Sequence, residues 1–234
     1  MRVVIILLCL DMLISCKKKK EQPVVSHSGA LRTMMSGDIS KTIDLDTLSQ
    51  KKHLYALGAF EELQGEVQIF DGFSQSSRVK DSTVVIENAI EGSASLLVYS
   101  KVEKWVENSS FFFASKTDLD SLLMNEAKKV GLDTEKPFPF ILEGKVSELQ
   151  WHVIKWNPED SVHTHKKHQE SGLNGVVKNE NIHLLGFYSN KHKAIFTHHS
   201  SNIHMHFTSK DQSLAGHVDG LKIKDSIILK LPKL

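Results

Sequence analysis

The sequence predicts an α+β protein, mostly mixed β-sheet with a few short helices, arranged as two packed subdomains. Three observations predict it. Many short runs alternate apolar and polar residues, the period of a half-buried strand, and they crowd into the last third of the chain. One segment, residues 118–130, repeats its apolar residues at helical spacing instead. Pro137 and Pro139 interrupt the chain between these two regimes and suit a boundary. The division is then an α+β half over residues 26–136 and a β-rich half over residues 137–234.

The chain opens on a targeting segment. Arg2 supplies a positive start, and the apolar run from Val3 to Leu13, broken by Asp11, is too short to span a bilayer permanently. Leu13-Ile14-Ser15-Cys16 matches a bacterial lipobox. Residues 1–15 are therefore expected to leave as a signal peptide, with Cys16 lipidated and residues 16–25 serving as a polar tether. That places the protein in the bacterial cell envelope, lipid-anchored to a membrane and facing the periplasm or the surface. Lys17–Lys20 add contact with anionic headgroups or act as solvated spacer. The chain has two cysteines. Cys9 leaves with the signal and Cys16 is acylated, so no disulfide is expected.

The elements follow in order. Residues 28–37 read as a short helix capped by Ser28 and stopped by Gly37, and residues 43–48 as a second one capped by Thr42 or Asp44. Residues 57–73 read as a strand pair closed by the turn Asp71-Gly72, with Val67 and Ile69 alternating with Glu66 and Gln68. Residues 82–86 and 94–99 read as strands. The helix over 118–130 carries Leu119, Leu122, Leu123, Ala127 and Val130 on one face, with Thr117 as cap and Gly131 as terminator. Strands are expected at 140–149, 151–156, 182–188, 194–199, 203–208, 216–223 and 226–231. Residues 157–174 are polar and read as a long loop. Its His163, His165 and His168 lack apolar walls, so it reads as a loop at the mouth of a site rather than a second metal centre.

Charge limits the partners. Net charge is +1 and the basic residues are interspersed with acids, which argues against nucleic acid. Histidine is the informative residue. His204 and His206 sit two apart in Ile203-His204-Met205-His206-Phe207, so on a strand they share one face while the apolar residues take the other. The stretch 209–214 is polar and turn-forming, so a second strand can bring His217 beside them. Three converging imidazoles make a divalent metal site, most naturally for zinc, with a position open for water or substrate. With 13 histidines in the chain, a close pair on an ordinary polar face is the competing reading.

These residues resemble the α-acetolactate decarboxylases. The likeness rests on His27-Ser28-Gly29-Ala30-Leu31 with Met34 and Gly37-Asp38; on Leu57-Gly58-Ala59-Phe60, Gln64-Gly65-Glu66 and Phe70-Asp71-Gly72; on Phe140 to Gly144; and on Gly186-Phe187, His204 to Phe207 and Gly216-His217-Val218. It spans residues 26–231 in consistent order. The resemblance implies a zinc on His204, His206 and His217, a glutamate near it at Glu66, and conversion of 2-acetolactate, a small 2-hydroxy-3-oxo acid, to acetoin and carbon dioxide. In that chemistry a Lewis acid stabilises the enediolate and Glu66, with a raised pKa, returns the proton. The commoner fate of a strand glutamate is the surface.

Two departures stand out. The arginine expected to hold the substrate carboxylate falls at His152, which lacks arginine's permanently charged fork; the competing reading, an ordinary strand residue, is the commoner one. Lys155 offers a point charge nearby. The family's second glutamate has no counterpart before Leu234, and His198 and His199 are the groups that could replace it. Two further readings stay open. One is a non-catalytic envelope metalloprotein that binds a small hydroxy or oxo acid, or zinc. The other, a zinc hydrolase, is disfavoured by the lack of His-Glu-x-x-His and Gly-x-Ser-x-Gly. A homodimer is compatible with the sequence.

Overall fold

The computed structural model describes residues 21–111, 116–224 and 226–234. The signal peptide over residues 1–15, the lipidation site Cys16 and the lysines at 17–20 lie outside the described residues. Two sheets carry the fold, and the class is α+β as expected.

The first sheet contains β1 (Val25–Ser28), β2 (Ile43–Asp44), β3 (Leu54–Phe60), β4 (Glu66–Phe70), β5 (Phe73–Ser74), β6 (Ser76–Lys80), β7 (Thr83–Glu87) and β8 (Ser93–Lys101). Its main order is β1-β8-β3-β4-β6-β7, with β2 on β8 and β5 on β4. The second contains β9 (Trp105–Phe111), β10 (Phe138–Val153), β11 (Leu173–Tyr188), β12 (Ile203–Ser209), β13 (Ala215–Lys222) and β14 (Ile227–Pro232), in the order β11-β12-β13-β10-β14-β9. Because β10 also pairs with β11, the strands β10, β11, β12 and β13 close into a ring. Among the described residues every pairing between these strands is antiparallel; an isolated bridge, Lys193 to Thr197, is parallel.

The helices are α1 (Leu31–Met35), α2 (Lys116–Lys129) and α3 (His165–Glu170). On α2 the expected stripe is buried at Leu119, Leu123 and Ala127, which pack on the interior of the second sheet with Phe140, Leu142 and Leu184. Gly131 ends the helix with φ +85°, a conformation costly for any residue with a Cβ. The side chain of Thr117, read as its cap, lies outside the described residues. The division between sheets falls between β8 and β9. Strand β9 and α2, which the prolines assign to the first half, therefore lie with the second sheet.

The sheets meet face to face. Leu57 and Val98 of the first pack with Ile141, Leu185 and Phe187 of the second, while Val67 and Ile69 fill a separate core on the far side of β4. Both faces of β4 are thus buried, and its polar residues Glu66 and Gln68 point toward the second sheet. Within the second sheet, Gly186 on β11 stands opposite Phe140 on β10, and a Cβ there would collide with the Phe140 ring.

Several local expectations are corrected. Ser28 caps no helix: it ends β1, its hydroxyl donates to the Thr42 carbonyl, and α1 starts at Leu31. Residues 43–48 split into β2 and a 3-10 turn over Leu45–Leu48, because Ile43 and Asp44 find partners on β8. The strands read at 140–149 and 151–156 join as β10, whose pairing with β13 shifts register between Gln150 and Trp151. Residues 194–199 form no strand; the His192 carbonyl accepts from the N–H groups of Ile195, Phe196 and Thr197, which curls the chain into a turn. The loop at 157–174 contains α3 and the start of β11.

Candidate active site

The pairing of three strands builds the site. His206 on β12 stands directly opposite His217 on β13, and His217 opposite His152 on β10. Three histidines therefore lie in one row across the sheet, and His204 joins it two residues before His206. Ile203, Met205 and Phe207 turn to the opposite, apolar side and are buried there. Ring centroids are 5.1 Å apart for His204 and His206, 5.2 Å for His204 and His217, and 5.4 Å for His206 and His217. One nitrogen from each of these three rings lies within 4.8 Å of the others, a spacing that could hold a metal ion. His206 is fully buried and its Nε2 makes no hydrogen bond. A buried polar atom left so costs about 1–3 kcal/mol; a cation inside the triangle would take up its lone pair. The donor set therefore fits a divalent ion.

Glu66 hangs over this triangle from the other sheet. It opens β4 immediately after Gly65, whose φ of +126° and lack of Cβ let the turn pass the Ser77 carbonyl. Its Oε2 lies 3.6 Å from Nε2 of His206, its Oε1 lies 3.8 Å from Nε2 of His152, and Oε1 accepts from the backbone N–H of Ile154 at 3.1 Å. One step along the same faces, the Gln68 amide donates to the Thr208 hydroxyl at 2.6 Å, which pins β4 against β12. Burial pushes the Glu66 carboxyl up to about 7, against the opposing pull of His152 and the Ile154 N–H. His206 is driven the other way: burial first, then its neighbouring imidazoles, hold it well below its ordinary value and keep the ring neutral.

A cavity of about 580 Å³ opens above these groups, lined by Glu66, His152, His204 and His217 with apolar Met34 and Phe196. His152 is buried, and Nδ1 donates to Asp219 at 2.8 Å. Burial lowers its pKa, but the Asp219 bond and the charges of Glu66 and Asp219 outweigh that and raise it. Burial would raise Asp219, yet the His152 hydrogen bond and the His217 ring 3.4 Å away hold its carboxyl well below the usual range.

All five residues singled out in the sequence, Glu66, His152, His204, His206 and His217, thus meet at one place. His198 reaches the cavity, whereas His199 lines a neighbouring one, and Lys155 is exposed and lines neither. Asp219 was not singled out. The period-two rule that pairs His204 with His206 also places Asp219 on the face of His217, so the signal was present. Of the loop histidines, His165 and His168 line the cavity and His163 lines the neighbouring one. Nδ1 of His163 lies 2.9 Å from Nε2 of His168, and both rings pack on Trp156.

Burial, then the nearby imidazoles, lower the pKa of His168 from 6.5 to about 4. The folded state therefore binds this proton more weakly than the unfolded state. The contribution of His168 to stability is complete above pH 6.5, falls as the pH drops toward 4, and amounts to at most about 3 kcal/mol. Urea unfolding across that range is expected to show a shallower loss of stability for His168→Gln than for wild type. An identical slope would contradict this.

Two facing sheets with a partly buried cluster of three histidines and a buried carboxylate define an α+β protein carrying a candidate metal-dependent centre. The model of the alpha-acetolactate decarboxylase family matches residues 25–231, and the chain belongs to that family. Among solved structures, it is similar to a Staphylococcus aureus protein of unknown function similar to alpha-acetolactate decarboxylase, at TM-score 0.68 and 16% identity over 90% of this chain and 86% of that one. It is also similar to the alpha-acetolactate decarboxylase of Bacillus subtilis strain 168, at TM-score 0.67 and 15% identity over 90% and 86%. At such identity these likenesses concern the fold. No curated protein matches the chain.

Proposed function

We propose that this protein decarboxylates 2-acetolactate, or a similar 2-hydroxy-3-oxo acid, to acetoin and carbon dioxide, with zinc held by His204, His206 and His217. The observation that carries this reading is the triangle of imidazoles with a buried, protonatable Glu66 3.6 Å from one of them. When bound, the cation supplies Lewis-acid stabilisation of the negative charge that develops on the substrate oxygens as the C–CO2 bond breaks. The reaction then requires one proton at the carbon that lost carbon dioxide. Glu66, with its pKa near neutrality, can hold that proton in the cavity and deliver it to one face. His152, whose pKa is raised by the Asp219 bond and by the charges of Glu66 and Asp219 against the effect of burial, is placed to attract the substrate carboxylate before it leaves. Apolar side chains such as Phe196 and Met34 limit water access, which strengthens each of these electrostatic contacts.

The zinc-loaded full chain should form acetoin from 2-acetolactate faster than the spontaneous reaction, and chelation should remove the excess. One feature favours a second reading, in which the protein binds such an acid or zinc without turnover. Histidine at position 152 gives a weaker carboxylate clamp than arginine would. Bound zinc with no acetoin above the spontaneous rate would select that reading.

A further inference from the structure

Asp219 follows His217 by two residues on β13 and shares its face. Both of its oxygens are engaged. Oδ2 accepts from Nδ1 of His152 at 2.8 Å, and Oδ1 accepts from Nε2 of Gln169, on α3, at 2.7 Å. Nδ1 of His217 faces Oδ1 at 3.4 Å. One carboxylate thus touches two imidazoles on adjacent strands, His152 and His217, whose ring centroids are 4.7 Å apart. With Nδ1 of His152 committed to Asp219, its Nε2 is the nitrogen turned toward Glu66. Nδ1 of His217 faces Asp219, and the same ring forms the triangle with His204 and His206. A carboxylate on the second ring nitrogen commonly fixes the orientation of a metal-binding histidine. Gln169 completes the arrangement from outside: it holds the carboxylate and ties the short helix α3 to the centre.

We infer that Asp219, held from α3 by Gln169, is the shared positioning residue of this centre, aiming the His152 ring at an anionic substrate and the His217 ring at the cation. The cation and the anionic substrate rest on the proposed function above; the hold of Asp219 on the His152 ring does not. His152, His217 and Asp219 also lie close enough to hold an ion themselves. The two hydrogen bonds on Asp219 favour orientation over ligation, and the number of ions bound separates the two.

The test uses the full chain and cobalt(II) as the metal probe. Metal content, visible absorption of the cobalt and the downfield imidazole N–H signals in proton NMR are measured together. Wild type should bind one ion. Asp219→Asn should still bind one, about 10–100-fold more weakly and with an altered cobalt spectrum. Gln169→Leu, which leaves every ligand and Asp219 itself in place, should weaken binding in the same direction, and Gln169→Lys, which keeps a donor, should restore it. The His152 Nδ1–H signal should be present in wild type and lost in Asp219→Asn. Unchanged cobalt affinity and spectrum in Asp219→Asn would overturn the assignment. So would two ions in wild type with one lost in that variant, which would make Asp219 a ligand. If wild type binds no cation, the functional reading fails, and the NMR signal alone decides whether Asp219 positions His152.

Discussion

His206→Ala is expected to cost more than any other single change at the centre. His206 is the one ring of the three that is completely buried, and its Nε2 makes no hydrogen bond to the protein. On the proposed zinc reading, removing it deletes one of three ligands from beside Glu66, His204 and His217. Loss of a group that only orients a ligand typically costs about 10–100-fold in metal affinity, and loss of a direct ligand should exceed that range. Dialysed variant protein should therefore contain little zinc, and acetoin formation should fall to the spontaneous rate. The fold should survive, because the neighbouring Met205 and Phe207 that anchor β12 are untouched. Metal analysis alongside circular dichroism checks this. A variant that keeps a full equivalent of zinc would remove His206 from the ligand set.

Glu66→Gln should produce the second large effect, and a different one. Glutamine keeps the size of the side chain and an oxygen for the Ile154 N–H. It abolishes only the exchangeable carboxylic proton. Metal content and KM should stay near wild type while kcat falls by about 10²–10⁴-fold, the usual worth of a positioned general acid. Steady-state kinetics on the zinc-loaded variant measure the split. A kcat within a few-fold of wild type would mean that another group delivers the proton, and His198 at the cavity wall would be the next to replace.

The imidazole cluster was legible from local rules. Alternation along a strand predicts that His204 and His206 share a face, and a hairpin-sized gap predicts that His217 returns beside them; the pairing of His206 with His217 follows that logic. The position of Glu66 was not legible in this way. It reaches His206 from a different sheet, across a contact between residues far apart in sequence, and no periodicity records which faces of two sheets will meet. Only the likeness of Gln64-Gly65-Glu66 to a family pattern pointed there. The alternation at Val67 and Ile69 suggested a strand with one exposed face, whereas sheet stacking buries both, and this turns an ordinary strand glutamate into one with a raised pKa. The reverse failure occurs at residues 194–199. Their apolar content reads as a strand, but the turn around the His192 carbonyl satisfies the backbone locally and uses Phe196 as a wall of the cavity. For Asp219, alternation along β13 gives the shared face with His217, but its partners His152 on β10 and Gln169 on α3 come from long-range packing that no local rule records.

The most direct test of the centre is anomalous diffraction at the zinc edge from crystals of the zinc-loaded protein. One strong peak is predicted, about 2.0–2.1 Å from a ring nitrogen of each of His204, His206 and His217, with the Glu66 carboxyl beside it. A peak at His163, His165 and His168 instead, or no peak within reach of all three strand histidines, would contradict the account.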